Sequence, residues 1–332
     1  MIAREAAAAA RRGVGLFRSL ERGVIAVSGA DATRWLDGMV SNDVARLQAG
    51  SSHSGCYATL LTPQGRIVAD LQVLLRSEGF WLDVSAEAVS AVMTRLGRYI
   101  IADAVELADR SGDFERMGLE GPRAYELLSR VAAQAPRLAP DACAAALVGG
   151  EPVVVAAFGW SGEAAVQLFT PVASAAAVVA ELRRAGDSLG LVDCDGEALE
   201  ILRIEAGIPR LGAELDESVL PGEARLERAV ASGKGCYTGQ EVIERLRSRG
   251  QVSHLLVGLQ TSGDSPLEVG AAVTAEGKRV GEVTSSCLSG SSGAIALAFV
   301  RRPFADPGVQ LSVGSRPARV VVPPFAEREA PT

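Results

Sequence analysis

The order in which strand-like and helix-like segments follow one another constrains the fold of this chain most. Three runs typical of strands, "GCYATLLTPQG", "RIVADLQVLLRS" and "GFWLDVS", come one after another, with turns at residues 63–65 and 78–79. A helical segment, "AEAVSAVMTRLGRYI", and a further strand, "ADAVELADR", follow them. Because runs of strands pack their apolar face under helices, this β-β-β-α-β order predicts an antiparallel sheet with a helix on one face.

A second group of segments with a related order begins near residue 113. The run "DFERMGLEG" is typical of a strand, and "PRAYELLSRVAAQA" is typical of a helix with proline in its first turn. The runs "EPVVVAAFG" and "EAAVQLFT" predict a hairpin around residues 160–162, and "VASAAAVVAELRRAG" predicts another helix. We interpret this group as a second α+β module, although the two groups share no clear sequence repeat.

The residues after 250 have a different texture, with short strand-like segments and no convincing helix. The segments are "SHLLVGLQ", "AAVTAEG", "KRVGEVTSS", "AIALAFVRR" and "VQLSVG". Turn residues separate them about every 8–12 positions, which is typical of a small β-barrel or sandwich.

These patterns together predict an α+β protein with two α+β modules followed by an all-β domain. A chain of 332 residues is long enough for two or three domains. The expected boundaries are residues 1–112 for the first module, 113–250 for the second, 251–325 for the β-domain and 326–332 for a frayed tail. The sequence leaves open whether the two modules interleave.

Composition excludes several classes of function. A formal net charge of −7 argues against broad binding of nucleic acid, so we expect no direct contact with DNA. No segment approaches about 18 uninterrupted apolar residues, so we expect no membrane partner. Without a heptad pattern or a long apolar stripe, we expect a monomer.

The five cysteines are far apart and form no C-x-x-C pair. This spacing predicts neither a disulfide framework nor a zinc site, and it fits a reducing compartment, for which we expect the cytoplasm. On the same ground we expect no iron–sulfur cluster of the chain's own, because such clusters usually need four thiolates with at least some closely spaced. We therefore predict no metal ligands.

The segment "SGKGCYTGQEVIERLRSRG", residues 232–250, carries the most specific pattern in the chain. Thr238 and Glu241 have the spacing of a capping box, which predicts that a helix begins at about Gly239. Gly235 and Gly239 allow the backbone an unusual path, or a close approach to a ligand.

Cys236 lies just before this predicted helix, where unpaired N–H groups stabilise a thiolate. Lys234, two residues away, would add positive charge, so Cys236 is the one cysteine with a stated reason to be reactive. In the alternative interpretation, Cys236 is a small buried apolar residue, Tyr237 belongs to the core and Lys234 lies on the surface.

The octapeptide "KGCYTGQE" resembles the signature of the YgfZ-type folate-binding proteins, which are relatives of the aminomethyltransferase (T-protein) of the glycine cleavage system. The stretches "LDGMVSNDVARLQAG", "LLTPQGRIVADL" and "RIEAGIPRLGAELDESVLPGE" also resemble family stretches in the right order, so the resemblance covers nearly the whole chain. The motif residues are Lys234, Gly235, Cys236, Tyr237, Gly239, Gln240 and Glu241.

This resemblance implies a ring-like molecule in which two α+β modules frame a central pocket and a C-terminal antiparallel β-barrel closes the ring. It also implies that the pocket binds tetrahydrofolate or a related folate. The expected partners are folate and iron–sulfur client or assembly proteins, including enzymes that modify tRNA.

Three residues are matched singly to the folate pocket. Glu205, in "RIEAG", matches the acidic residue that aminomethyltransferases place on the pterin ring; the alternative is an exposed helical glutamate. Asp70, in "IVAD", falls where aminomethyltransferases carry two adjacent aspartates, the first of which is Ala69 here, so Asp70 either serves chemistry or only orients the pocket. Asn42 is expected to cap a turn near the pocket.

Three functions follow from these residues. The first is a tetrahydrofolate-binding protein that supports assembly or repair of iron–sulfur enzymes, with Cys236 as the working thiol. The second is a folate-dependent aminomethyltransferase or demethylase, which needs a carboxylate beside the folate. The third is a folate-binding scaffold without catalysis.

Overall fold

A computed structural model of the chain describes residues 2–18, 20–132, 135 and 137–325. The tail expected at residues 326–332 lies outside the described residues.

Within these ranges the chain forms seven α-helices and seventeen β-strands. The first nine elements are α1 (Ala3–Arg12), β1 (Val14–Phe17), β2 (Arg22–Ser28), α2 (Ala32–Met39), β3 (Gly55–Leu61), β4 (Ile67–Arg76), β5 (Gly79–Ser85), α3 (Val89–Gly97) and β6 (Glu106–Asp109). The next eight are β7 (Phe114–Glu120), α4 (Ala124–Val131), β8 (Cys143–Val148), β9 (Glu151–Ala156), β10 (Ala165–Pro171), α5 (Ala175–Gly186), β11 (Leu191–Cys194) and α6 (Gly196–Ala206). The last seven are α7 (Gln240–Arg249), β12 (His254–Thr261), β13 (Ala272–Ala275), β14 (Lys278–Ser289), β15 (Gly293–Arg301), β16 (Gln310–Val313) and β17 (Arg316–Val321).

The first sheet has five antiparallel strands in the order β3-β4-β5-β2-β6. Helices α2 and α3 cover one face, where Trp35, Leu36 and Leu96 pack on alternate residues of the strands. The alternation along β4 is clear, because Ala69 and Leu71 point into this core. The predicted β-β-β-α-β order is therefore confirmed.

The second sheet has six strands in the order β11-β1-β7-β10-β9-β8. Strand β1 pairs in parallel with β11 and antiparallel with β7, so residues 14–17 join the second sheet although they precede the first one. The two modules therefore interleave at this point. Helices α4 and α5 bury their apolar faces on this sheet.

The six C-terminal strands close into a barrel in the order β12-β15-β14-β13-β16-β17, with antiparallel pairing throughout. The structure thus selects the barrel over the sandwich that the sequence also allowed. A separate cluster of apolar side chains joins α1 and α6 to barrel residues Ile295 and Leu297. The α+β fold class with a C-terminal antiparallel barrel is confirmed.

No helix in the described part of the chain is long and apolar enough to cross a membrane.

Candidate functional site

A cavity of about 770 Å³ lies where the two α+β modules meet. The first module contributes Arg22, Asp70 and residues 85–87, and the second contributes Phe17, Trp160 and the beginning of α6. Five carboxylates line it: Glu21, Asp70, Glu87, Asp195 and Glu200. This volume falls within the range of about 300–1,000 Å³ that is typical of pockets for small organic ligands.

Asp70 lies on β4 and faces the cavity, because its neighbours Ala69 and Leu71 point to the opposite side of the sheet. The hydroxyl of Tyr57 donates a hydrogen bond of 3.0 Å to Asp70 Oδ2. Burial raises the pKa of Asp70, while the charge of Arg22 and the hydrogen bond from Tyr57 act in the opposite direction. Burial thus favours the protonated form of this carboxyl group, whereas Arg22 and Tyr57 favour its ionised form.

Arg22 also lines the cavity, and its positive charge lowers the pKa of Asp70. Its Nε donates to Asp83 Oδ1 at 2.7 Å, and Asp83 is also 2.6 Å from a guanidinium nitrogen of Arg116. The guanidinium of Arg22 lies 5.2 Å from the ring centroid of Trp160. This contact orders both side chains at the cavity surface.

The aromatic wall depends on a buried carboxylate outside the cavity. Glu120 accepts hydrogen bonds from the backbone N–H groups of Trp160 and Ser161 and from Gln167 Nε2. Gly159 is required next to them, because a Cβ there would lie 2.5 Å from a Glu120 oxygen. Hydrogen bonds to Glu120, on the side away from the cavity, therefore fix the loop that carries Trp160.

Glu205 does not line the cavity. Its carboxylate is almost fully buried, accepts a 2.7 Å hydrogen bond from Arg11 Nε and a 2.5 Å bond from the hydroxyl of Ser289, and so connects α1 to the barrel. The position predicted to meet a pterin ring is thus occupied by contacts within the protein. The alternative of an exposed helical glutamate is wrong, because Glu205 is buried.

Glu200, on the same helix, is the α6 carboxylate that faces the cavity. Arg203 donates to both of its oxygens, at 2.8 and 2.6 Å. Burial alone would raise the pKa of Glu200, but the contacts with Arg203 hold this pKa below its usual value. Glu200 is therefore an ionised acceptor at the cavity wall.

The side chain of Lys234 is buried, contrary to the surface alternative, and it does not serve as a free charge beside Cys236. Its Nζ donates to the backbone oxygens of Asp37, Val40 and Asn42 at 2.6, 2.9 and 2.8 Å, and it is 3.2 Å from Asp37 Oδ1. Since Asp37 belongs to the last turn of α2 and Val40 and Asn42 come just after it, the ammonium binds the negative end of that helix. The structure therefore does not support activation of the thiol by Lys234.

The helix after the motif begins at Gln240, one residue later than predicted, and the predicted capping box is absent. The N-cap is Gly239, at φ 85°, and it makes no side-chain cap hydrogen bond. Instead, the backbone N–H of Thr238 donates to the carbonyl of Gly38, and Gln240 Oε1 accepts from the N–H of Tyr237. Glu241 is exposed in the first turn of α7.

Two residues of the motif have the surroundings of packing residues. Tyr237 is buried in an apolar cluster with Tyr57 and Ile243, which agrees with the core alternative. Gly239 approaches the backbone of the turn at residues 62–65, so closely that a Cβ would lie 2.7 Å from the carbonyl oxygen of Thr62. Gly235 has open space around it.

Cys236 is exposed and does not belong to the residues that line the cavity, which rules out the buried alternative. Asn42 also lies outside the lining. Its Nδ2 donates to the carbonyls of Tyr57 and Arg228 at 2.7 and 3.1 Å. Neither side chain is brought together with Asp70 at the cavity surface.

Within the described ranges, no three His, Cys, Asp or Glu side chains are grouped as metal ligands.

The sequence did not single out Arg22, Trp160 or Glu200. Trp160 lies in the turn of a predicted hairpin, and an aromatic residue between two strands was the available signal. Arg22 and Glu200 carry no local signal, since their neighbours in the cavity come from distant segments.

Known proteins resemble this chain over nearly its whole length. Residues 1–234 match the family of the GCVT N-terminal domain, and residues 255–327 match the family of the glycine cleavage T-protein C-terminal barrel domain. The aminomethyltransferase of Rubrobacter xylanophilus is 33% identical over 327 residues, which cover 97% of this chain and 85% of that protein. That of Streptomyces coelicolor is 30% identical over 339 residues, covering 98% and 90% respectively.

A solved structure has the same fold. The crystal structure of glycine cleavage system aminomethyltransferase T from Bartonella henselae superimposes with a TM-score of 0.85 at 24% identity, and the match covers 98% of this chain and 90% of that one. The fold and the site thus define a two-sheet α+β protein with an acid-lined cavity and a C-terminal barrel. The chain belongs to the glycine cleavage T-protein family, by its two domain matches and its aminomethyltransferase relatives.

Proposed function

We propose that this protein binds tetrahydrofolate in the cavity and transfers a one-carbon unit between folate and an amine, as an aminomethyltransferase does. The observation that carries this proposal is Asp70, a buried carboxyl with a raised pKa on the cavity wall. The aminomethyltransferase relatives support the same reaction class.

The lining residues fit a folate. Glu200 presents an ionised carboxylate, which can accept two N–H groups from an aminopterin edge. Phe17 and Trp160 offer aromatic surface to a planar ring system. Arg18 and Arg210, whose side chains are 40% and 51% exposed, suit the carboxylates of a glutamate tail near solvent.

Tetrahydrofolate supplies a nucleophilic ring nitrogen that accepts a one-carbon unit. Asp70 takes up or returns the proton that such a transfer moves, and Tyr57 stabilises its ionised form through the 3.0 Å hydrogen bond. Ala69 does not weaken this assignment, because its side chain points into the core of the first sheet. A carboxylate at position 69 would not face the cavity on this strand.

Calorimetric titration with tetrahydrofolate tests binding. We expect Glu200→Gln to weaken affinity at least tenfold, while Asp193→Asn, at an exposed ion pair outside the cavity lining, leaves it unchanged. Turnover is tested by formation of methylene-tetrahydrofolate from a carrier protein bearing an aminomethyl group. We expect Asp70→Asn to bind folate and lose turnover; a wild-type protein that binds folate without turnover contradicts the transferase function.

A second candidate is support of iron–sulfur enzymes by a folate-binding protein of the YgfZ type, with Cys236 as the working thiol. The exposure of Cys236 favours it, because transient thiol exchange requires access. Complementation of a deletion strain tests this function through the activities of iron–sulfur enzymes, including those that modify tRNA. We expect Cys236→Ser to lose these activities and Cys56→Ser, which changes a half-buried thiol, to keep them; equal activities contradict a role for the thiol.

A further inference from the structure

We propose that Lys234, Asn42 and Tyr57 form a positioning chain that holds Asp70 in place, so that the 234–241 motif acts on the cavity through hydrogen bonds. This inference deepens the proposed function and rests on the role given there to Asp70. It assigns a task to a motif whose residues do not reach the cavity themselves.

The chain consists of three consecutive contacts. Lys234 Nζ donates to the backbone oxygen of Asn42 at 2.8 Å. The side-chain Nδ2 of Asn42 donates to the backbone oxygen of Tyr57 at 2.7 Å. The hydroxyl of Tyr57 then donates to Asp70 Oδ2 at 3.0 Å. The first residue belongs to the motif and the last one lines the cavity.

The Lys234 end of the chain is firmly anchored. The Lys234 side chain is 1% exposed, and four oxygen atoms lie within 3.2 Å of its ammonium, which is more than its three N–H donors require. Asp37 also accepts the backbone N–H groups of Val44 and Ala45, so the loop after α2 is bound from both sides. A planar arginine fork cannot reproduce this set of contacts around a compact ammonium.

The Tyr57 end is fixed just as closely. The guanidinium of Arg228 lies 4.1 Å from the centroid of its ring, and Asn42 Nδ2 also donates to the backbone oxygen of Arg228. The ring itself packs among buried apolar side chains that include Tyr237 of the motif. These contacts hold the ring in place, and within the described residues the hydroxyl of Tyr57 makes its hydrogen bond to Asp70.

Three neighbouring side chains, Arg22, Asp83 and Tyr57, act on the pKa of Asp70. Arg22 faces it from β2 and lowers its pKa, Asp83 on β5 raises it, and Tyr57 on β3 lowers it through the hydrogen bond. Removal of the Tyr57 hydroxyl leaves burial less opposed, so the midpoint of Asp70 must rise. Loss of the hydrogen bonds that Asn42 or Lys234 makes must act in the same direction, because β3 is then held less firmly at Tyr57 and the hydroxyl spends less time at the carboxylate.

The test is an infrared titration of the Asp70 carboxyl in the ligand-free protein, with Asp70→Asn to assign the band. We expect Tyr57→Phe to raise the midpoint by about one pH unit, and Lys234→Met to raise it by a smaller amount. The matched controls are Tyr125→Phe on α4 and Lys278→Met on β14, which we expect to leave it unchanged. Asn42→Ser takes the place of Lys234→Met if the latter does not fold.

A shift in Tyr57→Phe together with Lys234→Met or Asn42→Ser supports the chain. If the midpoint shifts in Tyr57→Phe alone, the role of the motif is overturned. If it shifts in none of the folded variants, the whole positioning chain is overturned. Since this titration needs no folate, a failure of the proposed function appears separately, as absence of tetrahydrofolate binding or turnover in the wild-type protein.

Discussion

The carboxylate of Glu120 receives the backbone N–H of Trp160 between its two oxygens, at 3.1 and 3.2 Å. Trp160 lines the cavity and Glu120 does not, so a fully buried acid fixes part of the wall from behind. Burial is the main cause that raises the pKa of Glu120 to about 6, although its hydrogen bonds with Ser161, Trp160 and Gln167 favour the ionised form. Because its pKa is raised, the contribution of Glu120 to the free energy of unfolding must depend on pH.

We expect the stabilising effect of Glu120 to decrease as the pH rises from about 4.5 to about 6. A carboxyl whose folded-state pKa is raised binds its proton more tightly when folded, so its contribution is fully present below the unfolded pKa and is lost through the folded pKa. The shift from an ordinary 4.5 to about 6 corresponds to about 2 kcal/mol. Urea unfolding at about pH 4 and about pH 7.5, wild type against Glu120→Gln, measures this. An identical difference at both pH values contradicts it.

We expect Arg11→Met to destabilise the protein without weakening folate binding. Arg11 neutralises the buried carboxylate of Glu205, and its removal leaves that charge with a hydroxyl partner only. Because Arg11 is itself partly exposed, the loss in unfolding free energy should be about 2–3 kcal/mol, below the value for fully buried pairs. Urea unfolding and tetrahydrofolate calorimetry check both parts. A tenfold loss of affinity in stable, folded Arg11→Met would contradict this prediction and would indicate that Glu205 takes part in folate binding.

Most of the architecture could be predicted because its signals are local. Alternating apolar residues, turn residues and the change in texture after residue 250 are present in single segments. The missed strands lack such signals: β1 and β11 are four residues long, β8 contains the alanine run at residues 144–146, and Pro317 interrupts the strand pattern of β17. Pairing with a neighbouring strand, which is a tertiary effect, forms them.

The cavity was less predictable, because its residues come together only in three dimensions. Glu205 and Glu200 illustrate this. Five residues along a helix correspond to a rotation of about 140°, so the two carboxylates on α6 point in very different directions. A match of one residue within "RIEAG" could not show which face of α6 meets the cavity. Asp70 was found through the resemblance, and the alternation along β4 explains why it faces the cavity.

We expect Cys236 to be the one fast-reacting thiol of the native protein. It is exposed, whereas burial raises the pKa of Cys56, Cys194 and Cys287 to about 12 and keeps them protonated near neutral pH. Reaction with an aromatic disulfide reagent should show one rapid equivalent, which Cys236→Ser removes and Cys143→Ser retains. A rapid equivalent that persists in Cys236→Ser would assign the reactivity to another cysteine.

We expect Gly239→Ala to lower the free energy of unfolding by about 2–3 kcal/mol, and Gly235→Ala to change it by less than about 0.5 kcal/mol. Gly239 has φ 85°, and a Cβ there would lie 2.7 Å from the carbonyl oxygen of Thr62 and 3.0 Å from Cα of Gly65, both of which are backbone atoms that cannot move alone. Gly235 has no such neighbour within 4 Å. Urea unfolding of the two variants, four residues apart in one motif, measures the difference. Equal losses would mean that the motif tolerates no side chain at either glycine for a reason other than contact with the turn at residues 62–65.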